Sequence, residues 1–492
     1  MPAFYLEALT VTLGIILLVS EAFVSTKSKA WLGLAGSAGL LVILGLVPFA
    51  ADPFSDPHAS WAKWPLWKFY ELDGSAAFFK MFALITTILV MLMSIDYRRV
   101  LGKFTEDPDT ENNTGEFYCL PIFACAGMMW LASAKDLAGA FVALELVTIT
   151  FYILVAYMRR NLGSLEAGVK YLILGALSTG FLVYGIAWVF GIAHTLSFDQ
   201  LYPAIQKAES VTPLLFGVAL VLIGLAFKVG AVPMQIWIPD VYQGAPTPVT
   251  AFLSVGSKAA GFILLMRFID PFLANPSTQG PVLGILLILT IATLIYGNLA
   301  AIAQSNFKRL LAYSSIAHAG FLLLAISSNQ IQDLGENQLN YIQVVSFYLA
   351  TYLIMTLGAF FIMAQVCIQR DGEEIDDFNG LGKTNPRLAM AMTVLLASMA
   401  GVPLTAGFIG KFLAFSLAVE SGLWAAIGVA FIGAAAGFYY YFKVIRAMWW
   451  NEAGEAATIE LPPISKVSIG VLTGLTLLFG FWPQPILWLI GY

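Results

Sequence analysis

Five ionisable residues stand inside apolar runs where they are hard to accommodate. They are Glu145 in FVALELVTITFY, Lys228 in LAFKVGAVP, Lys258 in SVGSKAAGF, His318 in YSSIAHAGF and Lys411 in TAGFIGKF. Carboxylate, ammonium and imidazole groups share one chemistry, the exchange of protons. A charge at the centre of a bilayer costs roughly 3 kcal/mol by insertion scales. Four such charges would then total roughly 12 kcal/mol, comparable to the whole net stability of a typical fold. A structural ion pair between Glu145 and one lysine leaves at least two lysines without a partner. The expected role is therefore a chain of titratable groups along a hydrated path, able to hold or pass a proton. Lys170, a few residues from a loop, either joins that chain or snorkels to the surface. Lys80, near the outer end of its helix, is expected to be an interfacial anchor. Glu7 and Glu21 are expected to be solvated or to meet a partner.

The elements that must position these groups follow from composition. Of 492 residues, 59% are hydrophobic and only 11% charged, and the apolar runs continue from end to end. This excludes an array of soluble domains and predicts one all-α polytopic membrane domain spanning 1–492. Counting runs long enough to cross a bilayer gives about fourteen: 3–24, 31–50, 75–96, 117–133, 137–158, 166–193, 211–232, 246–269, 281–303, 308–328, 342–368, 388–418, 423–446 and 466–489. The seventh ends in GAVPMQIWIPD and the twelfth contains AGVPLTAGFIGK, so both are expected to be broken, at Pro233 and Pro403. An odd number of helices separates these two breaks. They therefore suggest inverted copies, the arrangement that places a transport site near the membrane midplane. With the N-terminus outside, fifteen basic residues fall in cytoplasmic loops, among them Arg98, Arg159, Lys308 and Arg309. Only Lys63, Lys68, Lys135, Lys207 and Arg267 fall outside, so both termini are expected to be periplasmic.

Other chemistries lack their residues. Cys119, Cys125 and Cys367 are scattered without CxxC spacing, which argues against a disulfide framework, a zinc site or an iron–sulfur cluster. There are three histidines, no P-loop and no dinucleotide fingerprint, so neither haem, nucleotide hydrolysis nor electron transfer is expected in this polypeptide. No nucleic-acid partner is implied. The stretch from Trp61 to Leu72 interleaves aromatics with lysines, as an interfacial segment does. The acidic stretch 105–116 reads as a solvated cytoplasmic linker, and the N-terminus carries no basic n-region of a cleaved signal peptide.

Four segments carry a family resemblance: WIPDVYQGAPTPVTAFLSVGSKAAGF, LELVTITFYILVAYMRRNLGSLEAGVKYLILGALSTGF, NFKRLLAYSSIAHAGFLLLA and AGVPLTAGFIGKF. From about residue 75 to the end, the chain resembles the antiporter-like, proton-pumping membrane subunits of respiratory complex I, the NADH–quinone oxidoreductase. The resemblance implies a fourteen-helix fold with N-terminal helices in 1–116, inverted five-helix repeats at about 117–269 and 281–446, and a C-terminal helix at 466–489. It also implies roles. Glu145 would modulate Lys228 on the broken helix 7, Lys258 would be the central lysine with His318 beside it, Lys411 would serve the outlet on broken helix 12, and Lys170 would be the helix-6 lysine. The implied function is proton translocation driven by quinone reduction elsewhere in the complex. No cofactor is implied in this chain, while NADH, FMN, iron–sulfur clusters and quinone belong to the whole assembly. The implied partners are other membrane-arm subunits, the lipid bilayer and protons, in a bacterial inner membrane. The alternative is a subunit of a multi-subunit cation/proton antiporter of the same fold, and a third reading is a membrane scaffold.

Overall fold

Long apolar runs punctuated by glycine and proline fold here into twenty α-helices, as seen in a computed structural model that describes residues 1–23, 29–53, 55–105, 114–208, 210–328, 339–452 and 458–491. Lys27 and most of the acidic stretch 105–116 lie outside the described residues. The first half comprises α1 (Tyr5–Phe23), α2 (Ala30–Leu46), α3 (Gly74–Lys103), α4 (Glu116–Ser133), α5 (Leu137–Val155), α6 (Leu162–Ala193), α7 (Phe198–Lys207), α8 (Thr212–Val229), α9 (Ile238–Gly244), α10 (Thr247–Phe252) and α11 (Lys258–Leu273). The second comprises α12 (Pro276–Ile302), α13 (Phe307–Ser327), α14 (Tyr341–Arg370), α15 (Leu381–Thr384), α16 (Pro386–Ala400), α17 (Ala406–Glu420), α18 (Trp424–Trp450), α19 (Pro463–Phe481) and α20 (Gln484–Leu489). Thirteen spans are individually long and apolar enough to cross a membrane, with α10 and α11 counted as one. The short pair α16 and α17 supplies a broken fourteenth. Helix α7 is amphipathic, buries Phe198, Leu201 and Ile205, and was not anticipated, because ten residues are too few to register as a span.

The middle of the bundle is α10–α11, α13 and α14, whose residues are buried on almost every side. Peripheral helices instead turn an apolar face outward: α6 exposes Val169, Ile173, Leu177 and Tyr184, and α18 exposes Phe431, Ile432 and Tyr439. Broad apolar faces turned outward around the peripheral helices suit a lipid solvent.

Both chain ends lie on one face. The Met1 ammonium donates to the Phe49 carbonyl at 2.9 Å, and Gln343 Nε2 donates to the Gly491 carbonyl at 3.3 Å. Bridging contacts tie these ends together: Lys135 N–H to the Phe69 carbonyl, Arg267 to Asp73, and Tyr341 to Asp270. The opposite face is closed by Arg160 N–H to the Phe104 carbonyl, Lys103 to Asp371, and Gly380 N–H to the Ala447 carbonyl.

The two predicted breaks share one local cause. Helix α8 stops at Gly230 (φ 80°), and the N–H groups of Gly230 and Ala231 both reach the Ala226 carbonyl. Helix α16 stops at Gly401 (φ 94°), and Gly401 and Val402 both reach the Ala397 carbonyl. Left-handed glycine caps end the helices, and Pro233 and Pro403 follow in the loops. The equivalent positions are thus the two glycines. The prolines used to align the breaks are offset by one residue.

Candidate proton relay

Each break leaves backbone carbonyls that need partners in an interior without bulk water. After α8, Trp237 Nε1 donates to the Phe227 carbonyl at 3.1 Å. After α16 the donor is Lys411 itself: its Nζ reaches the carbonyls of Met399 and Ala400 at 2.8 and 3.0 Å. The ammonium thus sits at a helix C-terminus, where a partly buried cation gains up to ~2 kcal/mol. That is less than the roughly 3 kcal/mol insertion cost. The charge is tolerated there without being locked.

Lys258 is positioned by a third irregularity that the sequence reading treated as plain helix. Residues Leu253–Ser257 form a π-turn between α10 and α11, and Lys258 follows it directly. Such turns re-aim the next side chains and recur at functional sites. Lys258 Nζ donates to the Ser315 backbone carbonyl and to Ser315 Oγ, with the Tyr352 ring centroid 5.4 Å away. Lys228, near the end of α8, donates to Thr148 Oγ1 and lies 5.4 Å from the Phe227 ring centroid. The α8 and α11 backbones approach closely here: a Cβ on Gly261 would stand 3.1 Å from Lys228 Cβ.

Helix α13 carries the link between the halves. Its Ser315 holds Lys258, its Ser314 hydroxyl meets Tyr441, and His318 lies one turn further on. His318 Nδ1 is 2.8 Å from the Tyr348 hydroxyl and Nε2 is 3.3 Å from the Tyr441 hydroxyl. A ring with a hydroxyl at each nitrogen can take a proton on one side and release it on the other. Phe321, the next turn of α13, lies 4.9 Å below the Lys411 Nζ. The structure therefore brings Lys228, Lys258, His318 and Lys411 into one buried line.

Two expected members sit differently. Glu145 is half-buried and accepts from Thr179 at 2.9 Å, with no ion pair to Lys228 among the described residues. Lys228 instead contacts Thr148, one turn beyond Glu145 on α5. Lys170 is 42% exposed and pairs with Glu166 and Asp240, each at 2.7 Å. Asp240 is also held by Arg309 at 2.8 Å, so Lys170 belongs to a surface knot rather than to the buried line.

Two other lysines were misjudged. Lys80 is no interfacial anchor and Glu7 is not solvated: both are buried and ion-paired, and Lys80 Nζ also bonds the Tyr70 hydroxyl (2.9 Å) and the Met129 carbonyl (3.2 Å). A helix start close to a face does not reveal that four segments converge over it. Lys308, placed in a cytoplasmic loop by sequence, is buried at the start of α13 and paired with Glu373. Glu373, Asp240, Tyr242, Tyr348 and Tyr441 carried no signal beyond ordinary polar residues, since only tertiary contacts select them.

An all-helical bundle with two glycine-capped breaks and a line of buried lysines defines a polytopic membrane protein of the ion-translocating class. Comparison narrows it: residues 134–437 match the family described as NADH:quinone oxidoreductase/Mrp antiporter, transmembrane region. The chain belongs to this family. It is 37% identical to the NADH-quinone oxidoreductase subunit N of Chlorobium chlorochromatii, over 99% of this chain and 92% of that protein. It is 39% identical to the subunit N of Rhodospirillum rubrum, over 91% and 88% respectively. Among solved structures it is similar to a chain of respiratory complex I from Thermus thermophilus with bound aureothin, at 30% identity and a TM-score of 0.77, covering 98% of each chain.

Proposed function

We infer that this chain is a proton-translocating membrane subunit of an NADH–quinone oxidoreductase, coupling quinone reduction elsewhere in the complex to proton movement. One contrast supports the reading above others. Among the described residues, the Lys228, Lys258 and Lys411 ammonium groups meet hydroxyls, backbone carbonyls and aromatic faces, whereas Lys80, Lys170 and Lys308 each hold a carboxylate. A buried ammonium with neutral partners loses its proton far more readily than one in an ion pair. The first three therefore suit a relay, and the last three suit structure or gating.

In this reading a proton passes from Lys228 to Lys258 where α8 and α11 approach closely. It continues through the hydroxyls of Ser315, Ser314 and Tyr441 to His318, and by way of Tyr348 to Lys411. Each hydroxyl accepts one hydrogen bond while donating another, as proton transfer requires. Lys228 and Lys258, Ser315 and Ser314, and Tyr348 and Lys411 share no direct hydrogen bond among the described residues, and in this reading water carries the proton across those three gaps. Glu145, one turn along α5 from the Thr148 that meets Lys228, acts on Lys228 electrostatically. NADH, FMN, iron–sulfur clusters and quinone serve other subunits. Cys119 and Cys125 on α4 and Cys367 on α14 are each buried, and no group of three or more metal-binding side chains occurs among the described residues. The relatives' name favours this assignment over a cation/proton antiporter subunit of the same fold.

Purification in mild detergent through a tagged chain tests it. Co-purification of a flavin- and iron–sulfur-bearing module with NADH–quinone reductase activity is expected. Recovery of antiporter-type subunits alone, with sodium-dependent proton exchange, would overturn the assignment. The charge bias further supports a periplasmic location for the face bearing both termini. Cysteines introduced beside Met1 and Gly491 should label from outside intact cells, and one beside Arg160 should not. A cytoplasmic C-terminus would contradict the fourteen-span count.

A further inference from the structure

A cavity of about 590 Å³ opens on the face opposite the termini, walled by α3, α6, α9, α13 and the turn after α14. Four carboxylates line it, and each has a cationic partner: Glu166 and Asp240 pair with Lys170, Asp371 with Lys103, and Glu373 with Lys308. The cations differ. The side chains of Lys103, Lys170 and Arg309 are 58%, 42% and 28% exposed, whereas that of Lys308 is 1% exposed. A solvated cation keeps water when its carboxylate is neutralised. The Lys308 ammonium depends on Glu373 for its counter-charge. Beyond Glu373, its acceptor among the described residues is the Ala245 carbonyl at 3.2 Å, at the end of α9.

Helix α9 separates the cavity from the buried line. Asp240, Gln243 and Gly244 face the cavity, and Tyr242 points the other way, with its hydroxyl 3.3 Å from Ser315 Oγ. Ser315 is the residue that holds Lys258. From Lys308 to Ser315 is seven residues of α13, roughly 10 Å at 1.5 Å per residue. That span is two or three water molecules long.

We propose that Glu373 is the proton-collecting carboxylate of this chain, and that the Glu373–Lys308 pair gates proton uptake from the cavity toward Lys258. The proposal rests on the relay reading above. A proton from cavity water neutralises Glu373 and breaks the ion pair. Lys308, now without a counter-charge, releases its proton inward by way of water, Tyr242 and Ser315 to the Lys258 amine. The Glu373 proton then moves to the Lys308 amine, and the pair re-forms. One proton has crossed from the cavity to Lys258, and no other bond has changed.

The turn itself does not depend on this carboxylate. Phe307 N–H donates to the Glu373 carbonyl and Ile375 N–H to the Ser305 carbonyl, both at 2.8 Å. The truncated side chain also opens the Lys308 ammonium to cavity water, an access that Lys80 beside Glu7 lacks, so Glu373→Ala is expected to assemble. In membrane vesicles with matched complex content, its NADH-driven acidification should fall about tenfold, and millimolar formate, small enough for the cavity, should restore it several-fold. Formate should not stimulate wild type. Chloride, which can pair with Lys308 but cannot carry a proton, should not restore the variant, whereas it would serve a purely structural pair. Wild-type acidification in Glu373→Ala, or a loss that formate does not mend, overturns the proposal. If Glu373→Ala does not assemble, Glu373→Ser, which keeps Lys308 and leaves a neutral hydroxyl and room for formate beside it, is judged by the same two outcomes. Wild-type vesicles that show no NADH-driven acidification would instead remove the relay reading itself.

Discussion

Lys228→Arg should assemble normally yet lose more than about nine-tenths of both quinone reduction and proton pumping. The guanidinium keeps a positive charge in place but stays protonated at any workable pH, so it cannot pass a proton. Lys228 has one hydroxyl partner, Thr148, and the Phe227 ring beside it. An electrostatic role would be met by either cation, and only a relay role separates them. Lys228→Ala should fall as far, because it removes a proton site while leaving no unpaired charge behind. The two activities should fall together, since charge movement and quinone reduction are coupled in such a complex. NADH-driven quinone reduction and vesicle acidification, normalised to assembled complex, provide the check. Near-normal pumping by the arginine variant would return Lys228 to a structural role.

Lys80→Ala should act in the opposite manner, abolishing stable assembly rather than turnover. It strands the buried Glu7 carboxylate, a fault that costs about 3–5 kcal/mol in buried pairs. That approaches the net stability of a small domain. Lys80 donates to Glu7, Tyr70 and the Met129 carbonyl, so all three ammonium hydrogens are spent within one cluster that clamps α1 and the segment before α3 to α3 and α4. Replacing the whole cluster, as Glu7→Leu/Tyr70→Phe/Lys80→Met, should recover assembly and near-normal pumping, because apolar groups of similar size can substitute for a satisfied ion cluster. Complex content by native gel and thermal stability of the purified assembly separate the two variants. A triple variant that assembles but does not pump would place Lys80 in the proton path.

The sequence by itself determined the order and approximate bounds of the apolar spans, since run length is a property of adjacent residues. It also located both helix breaks, because glycine and proline act on the backbone where they stand. Even there, the cap geometry made Gly230 and Gly401 the equivalent points in place of Pro233 and Pro403. Lys228, Lys258, His318 and Lys411 were legible as buried from depth in their runs alone. Which lysines are paired was not legible. Glu7 meets Lys80 across 73 residues and Asp240 meets Lys170 across 70, and nothing in either neighbourhood announces the other. The π-turn before Lys258 escaped for a related reason, because SVGSKAAGF is compatible with continuous helix until Ser315 and Tyr352 are packed against it. Burial along one helix is a local consequence of hydrophobicity, but a counter-charge comes from another helix. Only tertiary structure decided which lysines meet a carboxylate and which meet neutral partners.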